Sequence, residues 1–280
     1  MSAGWTASDA VEFLRRPTAA DDKYSRGVLG VRTGSVAYPG AAVLGVEAAW
    51  RTGVGMVRYI GPAEVGGLVL QRRPETVTSQ GRVQAWLLGS GTDPASRSAA
   101  ETEALRELLA GEVPVVVDAG ALELAIGAHA PVVVTPHAHE HDRLRAALGL
   151  SPTGAGESAD RTAAAQETAS VMGACVVLKG AETVVATPDG WSVTLPPATP
   201  WLATAGTGDV LAGAIGALVA GAAASAPVDP RGLGPVAATA AWLHGRAAAL
   251  AVEDAGGGPV TALDIAAALP AAVGAVLRSV

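Results

Sequence analysis

Short apolar runs alternate with alanine-rich stretches along most of the chain. Unbroken runs of β-branched and other apolar residues indicate strands that are covered on both faces of a sheet. The longer alanine-rich windows between them are typical of helices. The predicted strands are Met56–Ile60, Ala85–Leu88, Val113–Val117, Val132–Thr135, Cys175–Leu178 and Thr183–Ala186. The predicted helices between them are Ala41–Thr52, Ala99–Ala110, Ala121–Ala128, Glu140–Leu148 and Arg161–Met172.

Such alternation favours an α/β fold with a mostly parallel sheet and right-handed crossovers. The last third of the chain differs, because a hairpin-like stretch with a turn at Asp189-Gly190 precedes almost continuous helix. No repeat and no long linker divides the sequence, so we predict an N-terminal segment, residues 1–22, followed by one domain, residues 23–280. The late helices are predicted at Val210–Ala223, Leu233–Val252 and Leu263–Leu277.

Composition and charge restrict the class of protein. Half of the residues are hydrophobic and 16% are charged, which is not the composition of a disordered chain. Cys175 is the single cysteine and cannot form a disulfide within the chain. The first ten residues lack the basic and apolar regions of a signal peptide, so we expect a cytoplasmic protein. The formal net charge of −7 repels nucleic acid at long range, and we predict no nucleic-acid partner.

One stretch needs to be considered as a membrane span. Residues 210–228 carry no formal charge and are long enough to cross a bilayer. The stretch consists of alanine and glycine more than leucine or isoleucine, it lacks aromatic residues, and Pro227 lies near its end. We therefore predict a buried helix of a folded domain and no membrane partner.

The sequence Ala205-Gly-Thr-Gly-Asp precedes this apolar window, which places its glycines at the start of a helix. Glycines there allow backbone N–H groups to turn toward a ligand, and the helix end carries about half a positive charge. We predict an anion hole formed by the main chain of Ala205, Gly206, Thr207 and Gly208. Asp209 in the first turn could accept the proton of a hydroxyl that attacks a phosphoryl group. The simpler alternative is a tight loop in which Thr207 caps the helix and Asp209 complements the helix dipole.

Other polar or glycine residues follow predicted strands. Lys179 ends the strand Cys175–Leu178, where a lysine can offset phosphate charge, although a solvated lysine at a strand end is the alternative. The carboxyl ends of parallel strands share one edge of a sheet, and ligands bind there in open α/β folds. We therefore expect several chemically capable residues to converge at that edge. They are Gly89, Asp118, His137, Lys179 and Asp209.

Three of the five histidines alternate at positions 137, 139 and 141. In an extended segment all three would share one face, whereas in a helix only His137 and His141 would. A zinc site is a hypothesis here, although no cysteine or further nearby histidine completes a ligand set. The alternative places His137 in a cleft at a strand end and Glu140 at the start of the next helix. It leaves His139 and His141 on the surface.

In their order along the chain, the motifs resemble those of the ADP-dependent NAD(P)H-hydrate dehydratases, a family of the ribokinase-like superfamily. The resemblance runs from about Lys23 to the C-terminus. It implies a ribokinase-like, three-layer α/β/α sandwich with a mostly parallel central sheet. The more specific motifs are Thr135-Pro-His-x-x-Glu, Leu178-Lys-Gly and Ala205-Gly-Thr-Gly-Asp. Further matches are Lys23-Tyr-Ser-Arg-Gly, Tyr38-Pro-Gly-Ala-Ala, Leu88-Gly-Ser-Gly and Val117-Asp-Ala-Gly-Ala-Leu.

The resemblance implies a hydro-lyase that repairs nicotinamide nucleotides. Such enzymes dehydrate the 6S-hydrate of NADH or NADPH, using ADP (ATP in some relatives) and releasing AMP and phosphate. In that family pattern Asp209 is the catalytic base, and it contacts the hydrate together with Ala41, Gly91 and His137. Mg²⁺ would bridge the nucleotide phosphates, with Glu140 nearby. The residues implied to contact the adenine nucleotide are Lys179, Gly180, Ala181, Glu182, Thr183 and Gly208.

Two other functions share the same base and anion hole. One is a ribokinase-like kinase that phosphorylates a vitamin-precursor alcohol, and the other is a catalytically silent sensor of adenine nucleotides. The stretch Thr135-Pro-His-x-x-Glu favours the dehydratase. The alanine-rich C-terminal helices could also pack against a second copy, so a homo-oligomer is compatible with the sequence. Departures from the usual family pattern bear on substrate contacts and nucleotide preference, and they lie at Arg32-Thr33, Ser90, Ala138-His139 and Pro196-Pro197.

Overall fold

The central feature of the fold is one eight-stranded sheet in the part of the chain that a computed structural model describes, residues 4–153 and 158–278. The strands are β1 (Val28–Arg32), β2 (Met56–Tyr59), β3 (Ala85–Leu88), β4 (Val115–Val117), β5 (Val132–Val134), β6 (Cys175–Leu178), β7 (Val184–Ala186) and β8 (Ser192–Thr194). Their spatial order is β2-β1-β3-β4-β5-β6-β7-β8. The pairs from β2 to β6 are parallel, whereas β6–β7 and β7–β8 are antiparallel and form the predicted hairpin.

Helices connect the strands and fill the last third of the chain. They are α1 (Ala7–Ala10), α2 (Pro39–Thr52), α3 (Ala63–Arg72), α4 (Ala99–Leu109), α5 (Ala138–Ala147), α6 (Ser158–Met172), α7 (Thr207–Ser225), α8 (Pro230–Asp254) and α9 (Ala262–Arg278). Short 3-10 helices lie at Val11–Phe13, Ala119–Ala125 and Pro200–Leu202.

Alternate residues of the strands belong to two apolar cores, one on each face of the sheet. Leu87 packs in the core formed with α2, α3, α7 and α8. Its neighbours Trp86 and Leu88 pack in the core formed with α4, α5 and α6. Burial on both faces explains why the strand sequences are unbroken apolar runs. The result is three layers, which confirms the predicted α/β/α sandwich.

Most predicted elements are confirmed, but the sequence analysis misses β1 and α3. In β1, a Cβ placed on Gly30 would lie 2.4 Å from the ring of Trp86, so the indole occupies the space of a side chain. The strand therefore lacks a continuous pattern of large apolar residues. α3 contains two adjacent glycines, which lower helix propensity. The predicted helix Ala121–Ala128 is instead the 3-10 helix Ala119–Ala125.

Helix α7 lies in the interior of the fold. Among the described residues it is the one helix that is long and apolar enough to cross a membrane by length and composition. More than half of that apolar window is buried, and the helix packs against α2 and α8. The prediction of a buried helix at this position is therefore confirmed.

The parallel strands bring distant parts of the sequence to one edge of the sheet. Asp118 directly follows β4, and its N–H donates to the carbonyl of Leu88 at the end of β3. Lys179 directly follows β6, and its N–H donates to the carbonyl of Pro136 beyond β5. The hydrogen-bond ladder thus continues one residue past the strand ends. This fixes the backbone from which the polar side chains of the carboxyl edge project.

Candidate active site

Helix α7 begins at the glycine-rich loop that the sequence singles out. Gly206 is the N-cap residue, and its φ of 90° is a left-handed conformation that glycine adopts without steric cost. Thr207 is the first helical residue, and its hydroxyl lies 2.9 Å from the carbonyl oxygen of Leu202 and 3.0 Å from that of Thr204. The alternative in which Thr207 caps the helix is therefore wrong. The first turn, including Gly208, has no side-chain cap, so its N–H groups can serve as the candidate anion hole.

Asp209 lies in this first turn and is half-buried. Burial, and then the negative charge of Asp118, raise the pKa of Asp209 to about 7, against the opposing effect of the Lys179 ammonium. A carboxyl group with a pKa near the working pH is an effective general base, because it is substantially ionised and still basic enough to take a proton. The geometry therefore places a candidate proton acceptor next to the candidate anion hole.

Lys179 forms a partly buried ion pair with Asp118, close to the first turn of α7 that contains Asp209. Its Nζ atom lies 2.8 Å from Asp118 Oδ1 and 3.9 Å from Glu140 Oε2. Burial works against the charge of Lys179, but the two carboxylates outweigh it and raise the pKa of the lysine. A Cβ placed on Gly208 would lie 3.5 Å from Nζ, so the ammonium reaches the first turn of α7. The alternative of a freely solvated lysine is wrong, and its charge faces the candidate anion hole.

His137 and Glu140 form a capping box at the start of α5. His137 is the N-cap residue, and its Nδ1 accepts a hydrogen bond of 3.3 Å from the Glu140 N–H. The Glu140 carboxylate in turn accepts from the His137 N–H at 2.8 Å. The imidazole remains half exposed, whereas Glu140 is buried. Because Glu140 also lies beside Lys179, His137 is on the same side of the molecule as the candidate base.

The zinc hypothesis finds no support in the arrangement of the histidines. His139 is exposed, whereas His141 is buried and its Nε2 lies 3.0 Å from Thr168 Oγ1 on α6. Burial lowers the pKa of His141 to about 4, so its ring is neutral. The prediction of a surface position for His141 is wrong, because α5 turns this residue toward α6. Across residues 4–153 and 158–278, no three histidine, cysteine or acidic side chains are arranged to hold a metal.

Ala41 and Gly91 are in close contact at the edge of the same region. A Cβ on Gly91 would lie 2.5 Å from Ala41 Cβ and 2.8 Å from the carbonyl oxygen of Tyr38, so this position requires glycine. One turn further along α2, a Cβ on Gly45 would lie 3.7 Å from the backbone oxygen of Asp209. The start of α2 therefore connects the loop after β3 with the first turn of α7.

Two cavities lie near the turns that follow the strands at the carboxyl edge of the sheet. The first has a volume of about 640 Å³, and its lining includes Gly180, Ala181, Thr183, Leu195, Trp242 and His244. The second has a volume of about 550 Å³, and its lining includes Tyr38, Gly91, Ala119, Gly120, Glu140 and Arg143. Lys179 precedes Gly180 of the first cavity in the sequence, and its Nζ lies 3.9 Å from the carboxylate of Glu140, which lines the second.

Arg161 on α6 supports the turn that follows Lys179. One of its guanidinium nitrogens, Nη2, donates to the carbonyl oxygen of Lys179 at 3.2 Å and to that of Glu182 at 3.4 Å. Two of the departures from the family pattern also have visible partners. Arg32 forms a salt bridge of 2.6 Å with Glu101 on α4. Ser90 Oγ donates to the Asp118 carboxylate.

His244 lines the first cavity from α8, although no motif in the sequence points to it. Its side chain is buried, and its Nε2 has no hydrogen-bond partner among the residues that the structure describes. Burial lowers the pKa of His244 to about 4, so the ring is neutral. A single histidine in an apolar helix more often indicates a core residue than a ligand, which is why the sequence carries no signal for it.

The comparison with known families agrees with this geometry. A family model of the NAD(P)H-hydrate dehydratases matches residues 29–271. The chain belongs to the NAD(P)H-hydrate dehydratase family. Within it, the chain is 36% identical over 237 residues to an ADP-dependent (S)-NAD(P)H-hydrate dehydratase of Neisseria meningitidis, covering 78% of this chain and 75% of that protein. It is 43% identical over 229 residues to a bifunctional NAD(P)H-hydrate repair enzyme of Mycobacterium tuberculosis, covering 78% of this chain and 46% of that protein.

The chain spans about half the length of the bifunctional relatives that it matches. Solved structures cover it almost completely. An ADP/ATP-dependent NAD(P)H-hydrate dehydratase of Bacillus subtilis, co-crystallised with ATP and Mg²⁺, superposes with a TM-score of 0.82 and 27% identity over 98% of both chains. A ribokinase-like protein of Enterococcus faecalis superposes with a TM-score of 0.78 and 24% identity over 97% of this chain and 95% of that one. The ribokinase-like fold of this dehydratase-family chain is therefore confirmed.

Proposed function

We propose that this chain dehydrates the 6S-hydrate of NADH or NADPH, with ADP as the phosphoryl donor and AMP and phosphate as products. The observation that carries the proposal is the position of Asp209. Its carboxyl group has a pKa of about 7 and lies in the first turn of α7, which the Lys179 ammonium also reaches. Membership of the NAD(P)H-hydrate dehydratase family supports the reaction class.

The chemistry of the hydrate explains why a phosphoryl group is needed. Hydroxide is a poor leaving group at neutral pH, so direct elimination from C6 is slow. In the proposed reaction Asp209 takes the proton of the C6 hydroxyl as its oxygen attacks the β-phosphorus of ADP, and the bond to AMP breaks. The lone pair of the ring nitrogen then expels phosphate from C6, and loss of a proton from C5 restores the dihydropyridine. The sum is the hydrate plus ADP giving NADH or NADPH, AMP and phosphate.

In this proposal each of the two cavities binds one of the two substrates. The first cavity would take the adenine nucleotide, because the turn after Lys179 forms one of its walls. Gly180, Ala181 and Thr183 line this cavity, and we assign them to the nucleotide together with Lys179, Glu182 and Gly208. The second cavity would take the hydrate, since Gly91 and Glu140 line it and Ala41 contacts Gly91. His137 and Asp209 would contact the hydrate at the boundary. The main chain of Ala205, Gly206, Thr207 and Gly208 would stabilise the charge on the transferring group, where one donor is typically worth about 3–4 kcal/mol.

The residues present fit a magnesium ion that arrives with the nucleotide. Mg²⁺ is usually bound through one or two carboxylates together with substrate phosphates and water. Glu140 is buried and lies close to Lys179, where the phosphates would be, so it is the residue that would hold the ion. Bound there, Mg²⁺ would neutralise phosphate charge. All other steps in the proposal depend on the side chains and main chain of the protein.

The cell compartment, domain extent and assembly are proposals of the same kind. We propose a cytoplasmic enzyme whose catalytic unit is residues 23–280, after an N-terminal segment of residues 1–22. The bacterial repair enzymes among its relatives support the compartment. The charge of −7 supports small-molecule substrates rather than nucleic acid. A homo-oligomer stays a prediction that light scattering would test.

The direct test is recovery of NADH absorbance at 340 nm. Purified protein is incubated with the NADH hydrate, Mg²⁺ and either ADP or ATP, and the formation of AMP and phosphate is measured in parallel. We expect absorbance to return only when a nucleotide is present. A phosphorylated product that accumulates without absorbance recovery would instead indicate a small-molecule kinase. Nucleotide binding by calorimetry without any turnover would indicate a sensor.

Replacing His137 with alanine is expected to raise KM for the hydrate about fivefold, and more than KM for ADP. The reason is that the half-exposed imidazole would face the hydrate, and one lost hydrogen bond is worth about 1 kcal/mol. Steady-state kinetics with each substrate varied in turn measures the two constants. His139→Ala is the matched control, because His139 is exposed and takes no part in the capping box. A larger effect on ADP would move His137 to the nucleotide side.

A further inference from the structure

Asp118 is the buried centre of the carboxyl edge of the sheet. Its side chain accepts three hydrogen bonds, from Ser90 Oγ at 2.9 Å, Thr135 Oγ1 at 2.7 Å and Lys179 Nζ at 2.8 Å. The three donors follow β3, β5 and β6, whereas Asp118 itself follows β4. One carboxylate therefore connects the ends of four adjacent strands. Burying a charge this deeply is costly unless it is paired and hydrogen-bonded, as it is here.

The backbone after Asp118 is strained. Ala119 has a φ of 48° and is the only non-glycine residue with a positive φ in the described ranges. Such a conformation costs about 1–3 kcal/mol and persists only where the surrounding structure holds it. Gly120 is equally confined, because a Cβ there would lie 1.9 Å from the carbonyl oxygen of Thr92. Both residues line the second cavity, so the chain accepts strain at the point where it turns from Asp118 into that wall.

We propose that Asp118 is the positioning residue of this site, whose buried charge holds the Lys179 ammonium beside the first turn of α7 and acts across the site on Asp209. The first part stands on the ion pair of 2.8 Å and on the reach of Lys179 Nζ toward Gly208. The second part stands on the same geometry, because Lys179 links the Asp118 carboxylate to the first turn of α7, in which Asp209 lies. In agreement with this, the charge of Asp118 adds to burial in raising the pKa of Asp209. The inference depends on the proposed function in one respect only, namely that the group which Lys179 would bind is a nucleotide phosphate.

The charged groups around Asp209 are few. Asp118 raises the pKa of Asp209 and Lys179 lowers it. From α8, His244 is neutral near pH 7, because burial lowers its pKa to about 4. From α2, Glu47 is paired with three arginines. On α5, Glu140 lies beside Lys179 and Asp142 accepts a hydrogen bond from the Thr153 N–H. On α9, Asp264 is exposed and bonded to Thr261. The other charged residues of α8 are all exposed, and they are Arg231, Arg246, Glu253 and Asp254.

The variant Asp118→Asn separates charge from packing. Asparagine keeps the size of the side chain, its amide oxygen can still accept from one of the hydroxyls of Ser90 and Thr135, and its amide N–H can donate to the other. It removes the charge that pairs with Lys179. Asp209 then loses the negative charge that helps to raise its pKa, so the pKa of Asp209 falls. We expect the acid limb of the kcat profile to move down by about 1 pH unit. We also expect the maximal kcat to fall about tenfold to a hundredfold, because Lys179 is no longer held in place.

A second measurement needs no activity at all. The difference in Tm between the wild-type protein and Asp209→Asn is followed against pH, with and without Asp118→Asn. An aspartate whose pKa is raised on folding destabilises the native state as it ionises, so the difference grows from about pH 4 to pH 7. In the Asp118→Asn background, the difference in Tm is expected to be smaller and to reach its full size at a lower pH. This shift in a protein without dehydratase activity would overturn the proposed function and support the positioning role.

The control is Asp229→Asn, which makes the same chemical change at the exposed N-cap of α8, where asparagine caps equally well. This variant is expected to leave the pH midpoint of the kcat profile and the pH midpoint of the Tm difference at their wild-type values. Should Asp118→Asn fail to fold, the double variant with Lys179→Met removes both buried charges together. Compared with Lys179→Met alone, the double variant is expected to show a lower midpoint for Asp209. The inference would be overturned if the wild type dehydrates the hydrate but removal of the Asp118 charge leaves both midpoints unchanged, that of the kcat profile and that of the Tm difference.

Discussion

Replacing Asp209 with asparagine is expected to lower kcat by about 10²–10⁴-fold, the usual contribution of a general base. Asparagine has nearly the same shape but cannot take the proton of the attacking hydroxyl. The candidate anion hole and Lys179 remain in place, so the affinity for ADP should change little. Steady-state rates of NADH recovery and calorimetric titration with ADP measure the two effects separately. A near-normal rate would show that the assignment of the base is wrong.

The same variant is expected to be more stable than the wild type at pH 8. Burial and Asp118 raise the pKa of Asp209 to about 7, so ionisation of this group costs folding free energy as the pH rises from about 4 to 7. Asparagine never ionises and avoids that cost. Thermal melts at pH 4 and pH 8 measure it, and Asp229→Asn should show no such gain. A catalytic group that lowers stability in this way is common where a site needs a perturbed pKa.

The edge at which the site lies could be predicted from the sequence. Parallel strands end on one side of a sheet, so a polar residue after each apolar run must lie near the others. Asp118, His137 and Lys179 obey this rule, and the glycines around Thr207 indicate a helix start in the same place. These inferences need only the order of the elements and the direction of the strands.

The contacts within the site could not be predicted in the same way. Asp118 looks like one more residue at a strand end, and only the packing of four strands shows that it binds Lys179. His141 is buried because of the rotation of α5 against α6, which a run of alternating histidines does not reveal. His244 enters the first cavity from α8, far from any motif in the sequence. Each case depends on which side chains meet across elements rather than on local pattern.

Replacing Lys179 with methionine is expected to lower kcat/KM for ADP by about 10²–10³-fold. Methionine keeps the length and the apolar stem but removes the charge that would meet the developing negative charge of the phosphoryl group. The affinity for the hydrate should be less affected, because the second cavity keeps its lining. Kinetics with ADP varied at saturating hydrate measures the first effect. The opposite pattern would place Lys179 on the hydrate side.

The same substitution should also destabilise the fold and shift the pH profile upward. Asp118 and Glu140 lose their shared cation, and breaking a buried pair from one side costs about 3 kcal/mol or more. Lys179 lowers the pKa of Asp209, so its removal should move the acid limb of kcat to a higher pH. Lys23→Met, at the only other lysine of the sequence and on the surface, should change neither property. A Lys179 variant that lost stability but kept the wild-type pH limb would mean that the ammonium acts on Asp118 and not on the base.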